Sequence, residues 1–264
     1  MLNPLRYFIL KISAIATIYR LYKNWPVVIF DRSFFRFLTP LLVYELRNSI
    51  RILVRTDDVD GRIADNTFRG EYAAPEYDIQ SDYTVIDIGA HIGTFTLQAA
   101  AKAYKGKVYA FEPFSENFKL LQANILINRF TNITAGQFAV SDKKKQQKLF
   151  INQTSRSLAS LATSNGQSET VNSVTLAEIF HKYHISQCNF LKLDCEGAEY
   201  NILMATPATV FKRIDLIVFE CHLHDQQRKK LEKFLGVHNF SLIHTKNRSG
   251  HPDILFFKKS YATK

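Results

Sequence analysis

From Tyr83 onward, short β-branched runs alternate with helical stretches, and this alternation restricts the chain more than any other feature. Strands separated by helices do not pair as hairpins; crossovers join them into a mostly parallel, doubly wound sheet with helices on both faces. The expected strands are Thr84–Ile88, Val108–Phe111, Ile133–Val140, Asn189–Asp194 and Leu216–Glu220, with helices over Thr94–Tyr104 and Gln226–Leu235. A closing hairpin, Phe240–Thr245 and Ile254–Lys258, would supply an antiparallel last strand.

The first strand runs into Asp87-Ile88-Gly89-Ala90-His91-Ile92-Gly93-Thr94. Glycine at 89 permits a tight turn and a close backbone approach by a ligand, and the free amides at a helix start attract carboxylate or phosphate. The spacing is not G-x-G-x-x-G, which disfavours a nicotinamide dinucleotide. The second strand ends in Glu112, about 20 residues past the glycines, where an acid accepts hydrogen bonds from ribose hydroxyls. In this order the two features indicate an adenosine ligand; taken singly, they would be turn glycines and a helix-capping acid.

Two further strand ends carry polar groups. Asn189–Asp194 terminates in Asp194-Cys195-Glu196, and after Leu216–Glu220 the residues Glu220 and His222 share a face with Cys221 opposite. Asp194, Glu196 and His222 are the candidate catalytic residues, since histidine titrates near neutrality and Glu220 would fix its tautomer. The structural alternative is that Glu220 and Glu199 pair with Lys192 or cap helices. No two of these groups stand at a diagnostic metal spacing, so no metal is expected.

The stretches VIDIGAHIGTFTL (85 to 97), VYAFEPFSENFKLLQANI (108 to 125), AVSD (139 to 142), LKLDCEGAEYNIL (191 to 203) and VFECH (218 to 222) resemble the FkbM-type methyltransferases in content and order. The D-x-E-G-A-E block is the most specific, and the D-x-L-F-F at Asp253 also matches. The resemblance implies a class I, Rossmann-like α/β fold that uses S-adenosylmethionine. It implies that Asp87, Gly89 and Gly93, with Ala90 and Thr94 in the same loop, flank the methionine part of the cofactor, and that Glu112 holds the ribose. Ser141 and Asp142 would border the adenine, although a turn acid beside a lysine run fits Asp142 equally well. Asp194 is followed by Cys-Glu-Gly rather than the N/D-P-P-Y/F block of enzymes that methylate amino groups of bases, which favours a hydroxyl oxygen as acceptor. The expectation is an O-methyltransferase acting on a glycan or small natural product. The alternative is a basic RNA-directed methyltransferase or a non-catalytic nucleic-acid-binding module.

That alternative rests on a net charge of +10 over 264 residues. The densest run, Lys143 to Lys145 with Lys148, has no interleaved aromatics to stack bases and is expected to be a solvated loop, making nucleic acid a weak partner. Residues 1–80 are expected to form an extension ahead of a methyltransferase domain at 81–264. In it, Met1–Val28 is apolar but too interrupted by Arg6, Lys11, Arg20 and Lys23 to cross a bilayer. It reads as a helix with Arg6, Ser13, Thr17, Arg20 and Asn24 on one stripe, ended at Trp25-Pro26 and followed by a short extended piece. Such a helix needs cover, from the protein's own body, a second copy in a homodimer, or an anionic membrane. Leu42, Tyr44 and Leu46 against Ile50, Ile52 and Val54 read as a β-hairpin across Asn48-Ser49. The three cysteines form neither a paired metal spacing nor a disulfide set, which suits the cytoplasm, with peripheral membrane contact left open.

Overall fold

The structure, a computed structural model, describes residues 4–74, 77–152, 155–160, 167–248 and 250–261. Helices α1 (Pro4–Leu21) and α2 (Trp25–Asp31) lead through a 3-10 turn (Phe34–Leu38) to a hairpin of β1 (Leu41–Glu45) and β2 (Arg51–Arg55), then to α3 (Asp60–Phe68). The hairpin pairs Leu42 with Val54 and Tyr44 with Ile52, as its alternation predicts, and Ser49 in the turn has φ 69°. Trp25-Pro26 does not open an extended piece. Pro26 sits in the first turn of α2, where its missing N–H removes no helical hydrogen bond.

Ile18 of α1 and Tyr22 just after it are buried with Val28, Tyr44 and Ile52, and the same cluster takes in Ile92 and Leu97 from the core. The Tyr22 hydroxyl donates to Asp65 Oδ1 at 2.7 Å. The amino-terminal extension therefore shares a hydrophobic cluster with the glycine loop and the helix that follows it. Of the predicted polar stripe, the Arg6 side chain lies outside the described residues, and so does that of Lys11, which is off the stripe.

The core alternates as expected: β3 (Thr84–Ile88), α4 (Thr94–Lys102), β4 (Lys107–Phe111), α5 (Ser115–Asn128) and β5 (Ile133–Gly136). After an insertion comprising β6 (Ala139–Val140), β7 (Lys145–Asn152), β8 (Ser155–Ser160) and β9 (Gln167–Val174), the chain continues with α6 (Leu176–Lys182), β10 (Phe190–Leu193), α7 (Glu199–Met204) and α8 (Ala208–Phe211). It closes with β11 (Leu216–Glu220), α9 (Asp225–Val237), β12 (Phe240–Lys246) and β13 (Ile254–Lys259). The main sheet runs β12-β13-β11-β10-β3-β4-β5; its β3, β4, β5, β10 and β11 are parallel, and β13 is antiparallel to both neighbours.

Alternate residues of each buried strand face opposite layers. Val85, Phe190, Val218 and Phe256 pack into one, and Ile86, Leu191, Ile217 and Phe257 into the other. From β3 the chain winds outward to β4 and β5, then returns to lay β10 on the other side of β3. The crevice at the carboxyl ends of β3 and β10 is the switch point where open sheets bind ligands.

Two expectations need correction. The predicted strand Ile133–Val140 is split, because at Gly136 the chain leaves the main sheet and Ala139–Val140 joins a second sheet, β6-β9-β7-β8. A Cβ on Gly136 would lie 2.6 Å from the Phe138 ring, which stacks on Phe111 with centroids 4.8 Å apart. The lysine run is solvated, with Lys143, Lys144, Lys145 and Lys148 all exposed, but it is a loop only to Lys144: Lys145 begins β7, which pairs antiparallel with β9 and buries Leu149 against Val171 and Phe114. The polar sequence hid a strand whose inward residues are few.

Candidate active site

At the carboxyl ends of β3, β4 and β10 lies a cavity of about 480 Å³, within the range of small-molecule sites. Its wall includes Gly89 and His91 from the glycine loop, Glu112 after β4, and Asp194, Cys195 and Glu196 after β10. Phe111, Phe138, Val140 and Leu149 add an apolar side, so the insertion sheet helps to build the site. The extension contributes Arg62, Ile63 and Asn66 of α3, with Glu71 and Tyr72 beyond it.

The glycines are required by the protein's own packing. Gly89 has φ +77°, and a Cβ there would stand 1.7 Å from the Asp194 carbonyl oxygen. Gly93, at φ +94°, packs against Leu121, whose Cδ1 would lie 2.6 Å from a Cβ. Gly89 thus lets the β3 and β10 strand ends touch, which places the Asp194 carboxylate on the same wall as the loop. Beyond β4, Glu112 is buried with Oε2 accepting the His91 N–H at 2.8 Å and Oε1 the Phe114 N–H at 2.9 Å. Burial pushes its pKa up, against the pull of His91 and these amides. Arg55 and Asp60 from the extension brace this loop: they form a buried pair at 2.9 Å, and Asp60 Oδ1 lies 3.2 Å from His91 Nε2.

The wall after β10 is acidic. Asp194 Oδ2 accepts the Tyr72 hydroxyl at 2.6 Å, and although burial opposes its charge, Lys192 and that hydrogen bond hold its pKa below the usual value. Glu196, at φ 52°, is pushed up to about 7, first by burial and then by the charge of Asp194. Glu199 fixes this turn by accepting the N–H groups of Cys195 and Gly197 at 2.9 and 3.0 Å, the structural role its helix-start position allowed. Glu220 is raised to about 8 by burial and by Asp194. Arg248, from the loop between β12 and β13, bridges Glu220 and Glu71 across the cavity wall.

His222 does not line this cavity. It stands behind the wall, with Nδ1 3.4 Å from Glu199 Oε1 and Nε2 3.5 and 3.8 Å from Glu196 Oε2 and Glu220 Oε1. Burial disfavours its charge, but these carboxylates prevail and raise its pKa to about 9. At neutral pH it is an imidazolium with no lone pair to take a proton, so it holds the carboxylates in place rather than acting as a base.

Several other residues singled out in the sequence also lie off the cavity wall. Asp87 is fully buried, accepting from Lys192 Nζ at 2.9 Å and the Thr96 hydroxyl at 2.6 Å. Ala90, Gly93 and Thr94 are buried within the loop and helix start, and Ser141 donates to its neighbour Asp142 at 3.0 Å, away from the cavity. Sequence reasoning missed Tyr72, Glu71 and Arg248, which carry no local motif. Lys192, alone among apolar residues in Phe190–Leu193, was the visible sign of a buried ion pair. Among the described residues no group of three or more His, Cys, Asp or Glu is arranged to hold a metal ion.

A family model for the methyltransferase FkbM domain matches residues 87–254. The chain belongs to the FkbM methyltransferase family. With the class I sheet and its crevice, this makes it an S-adenosylmethionine-dependent methyltransferase. PH0793 of Pyrococcus horikoshii, assigned as a transferase, shares the fold with a TM-score of 0.51 at 13% identity, covering 84% of this chain and 73% of its own. Precorrin-6y C5,15-methyltransferase of Geobacter metallireducens GS-15 aligns with a TM-score of 0.43 at 15% identity, over 69% of this chain and 82% of its own. M. jannaschii TYW2, solved in complex with AdoMet, aligns at 0.45 and 13% identity over 84% and 88% of the two chains. No curated protein matches the sequence.

The donor set suits that cofactor. Glu112 accepts the His91 and Phe114 N–H groups and a side-chain hydrogen bond from Asn117, which leaves its carboxylate with acceptor capacity for a ribose hydroxyl. On the adjoining loop, His91 Nδ1 is buried without a hydrogen-bond partner in the protein, an orphaned polar atom on a cavity-lining residue. The apolar side made by Phe111, Phe138, Val140 and Leu149 suits a purine ring.

Proposed function

We propose that this methyltransferase acts on a hydroxyl oxygen of a glycan or small natural product, with Glu196 as general base and Asp194 orienting the acceptor. The observation that carries this is the pairing of a carboxyl raised to about 7 with one held below the usual carboxylate value, both on the wall of the cavity that Glu112 lines. When bound, S-adenosylmethionine supplies an electrophilic methyl group for in-line displacement. The chain must align the acceptor oxygen and remove its proton as it attacks. A carboxylate near its own pKa at working pH accepts that proton readily, whereas the ionised Asp194, fixed by Tyr72, accepts a hydrogen bond and sets direction. Glu112 would hold the ribose, with the Phe138–Val140 wall against the adenine.

The cavity wall carries the carboxyl groups of Glu71, Glu112, Asp194, Glu196 and Glu220 against the guanidiniums of Arg62 and Arg248, a balance that favours a polyol over a polyanion and opposes an RNA acceptor. The free thiols of Cys188, Cys195 and Cys221 suit a reducing compartment, and we place the enzyme in the cytoplasm.

Asp194→Asn is expected to keep cofactor affinity and lose turnover, measured with radiolabelled cofactor on acceptors captured from extracts of the source organism. Wild-type rate in this variant would remove Asp194 from the mechanism. Glu112→Ala is expected to weaken S-adenosylmethionine or S-adenosylhomocysteine binding by about 1.5–3 kcal/mol through lost charge-assisted hydrogen bonds. Calorimetry reads this directly, and unchanged affinity moves the ribose contact elsewhere.

A further inference from the structure

α1, the 3-10 turn and β1 each expose apolar side chains in the most basic stretch of the chain. Ile15 and Tyr19 of α1 lie beside Ile18 on the helix yet are 49% and 55% exposed, and with Ala16 and Trp25 they line an apolar groove. Beyond α2, Phe35, Phe37 and Leu38 are 57%, 63% and 67% exposed, and Leu41 and Val43 continue the surface on the outer side of β1. The elements are tied together: Asn24 Nδ2 donates to the Val43 carbonyl at 2.8 Å, and the Arg47 guanidinium stacks 4.8 Å over the Tyr19 ring. Exposed aromatic and aliphatic side chains gathered in this way mark an interaction surface.

The charge identifies the partner. Residues 1–55 hold nine Lys or Arg against only Asp31 and Glu45, and with Arg32 and Arg55 paired to Asp65 and Asp60 beyond them a net +5 is left. Exposed Arg20, Arg36, Arg47 and Arg51 make no ion pair among the described residues. A symmetric contact with a second copy would bring these cations face to face, and a neutral apolar partner would leave them unused. An anionic bilayer surface takes both components, burying Phe and Leu at the headgroup boundary and pairing Arg with lipid phosphates. No described helix is long and apolar enough to cross a membrane, so the contact lies in the interface plane.

We propose that this surface docks the enzyme peripherally on anionic phospholipid. The full-length protein is expected to float with phosphatidylcholine–phosphatidylglycerol vesicles and to stay behind with pure phosphatidylcholine. Phe35→Ser/Phe37→Ser and, separately, Arg20→Glu/Arg51→Glu, all at exposed positions, should each reduce the vesicle-bound fraction by roughly tenfold. Both variants should keep wild-type affinity for S-adenosylhomocysteine, which shows that they fold. Equal flotation with both vesicle types, binding unaffected by either variant, or a homodimer in solution that the Phe variant dissolves would each overturn the proposal.

Discussion

Glu196→Gln is expected to lower kcat by roughly 10²–10⁴-fold, the usual contribution of a positioned general base. The wild-type profile should rise with pH through about 7, because Glu196 must lose its proton before it can accept one from the acceptor hydroxyl, and its pKa is raised to about 7. In the variant that limb should vanish, while S-adenosylhomocysteine affinity stays near wild type. Stability should move in the opposite direction to activity. A carboxyl whose folded pKa is raised costs stability once pH exceeds its unfolded value of 4.5, and the cost is fully developed above about 7. Removing the charge should therefore leave the melting temperature unchanged or higher at neutral pH. A variant at wild-type kcat with the same limb near 7 would assign the base elsewhere, with Asp194 the next residue on the wall.

The sequence made the strand ends legible and left their surroundings dark. Thr84–Ile88 and Leu216–Glu220 were readable to the residue because continuous β-branched runs bounded by glycine or acid have few other conformations. Glu112 followed from the strand ending at Phe111, and Asp194 and Glu196 from the one ending at Leu193, since the ends of parallel strands point at the crevice. The chemistry of those residues did not follow, because pKa values depend on neighbours that are distant in sequence. Tyr72 reaches Asp194 across 122 positions, and Arg248 joins Glu71 to Glu220 from a loop that reads only as a turn. His222 illustrates the same limit. Period-two spacing puts it beside Glu220, but only the fold surrounds it with Glu196 and Glu199 as well and turns a candidate base into a cation. The second sheet escaped detection because β7 is polar along most of its length, its hydrophobic pairing with β9 being carried by few residues.

Lys192→Met is expected to destabilise the fold by about 3–5 kcal/mol, the cost of leaving a buried charge without its partner. Lys192 and Asp87 stand opposite each other on β10 and β3, with Nζ 2.9 Å from Asp87 Oδ1, both side chains almost wholly out of solvent. The same ammonium donates to the Gly89 carbonyl at 3.0 Å and lies 3.8 Å from Asp194 Oδ2, so it ties the pair to the glycine loop and to the acidic wall. Because methionine fills a similar volume, the loss should come chiefly from Asp87, whose remaining partner is the Thr96 hydroxyl. Adding Asp87→Asn removes the stranded charge and should recover a good part of the deficit, a non-additivity that a denaturant double-mutant cycle measures. The cycle also separates two roles for Asp87. If it acts through the strand junction, as its burial and absence from the cavity wall indicate, stability and cofactor affinity should fall together in Lys192→Met and recover together in the double variant. A loss under about 1 kcal/mol in Lys192→Met, or a double variant with recovered stability and no cofactor binding, would instead return Asp87 to direct contact with the ligand.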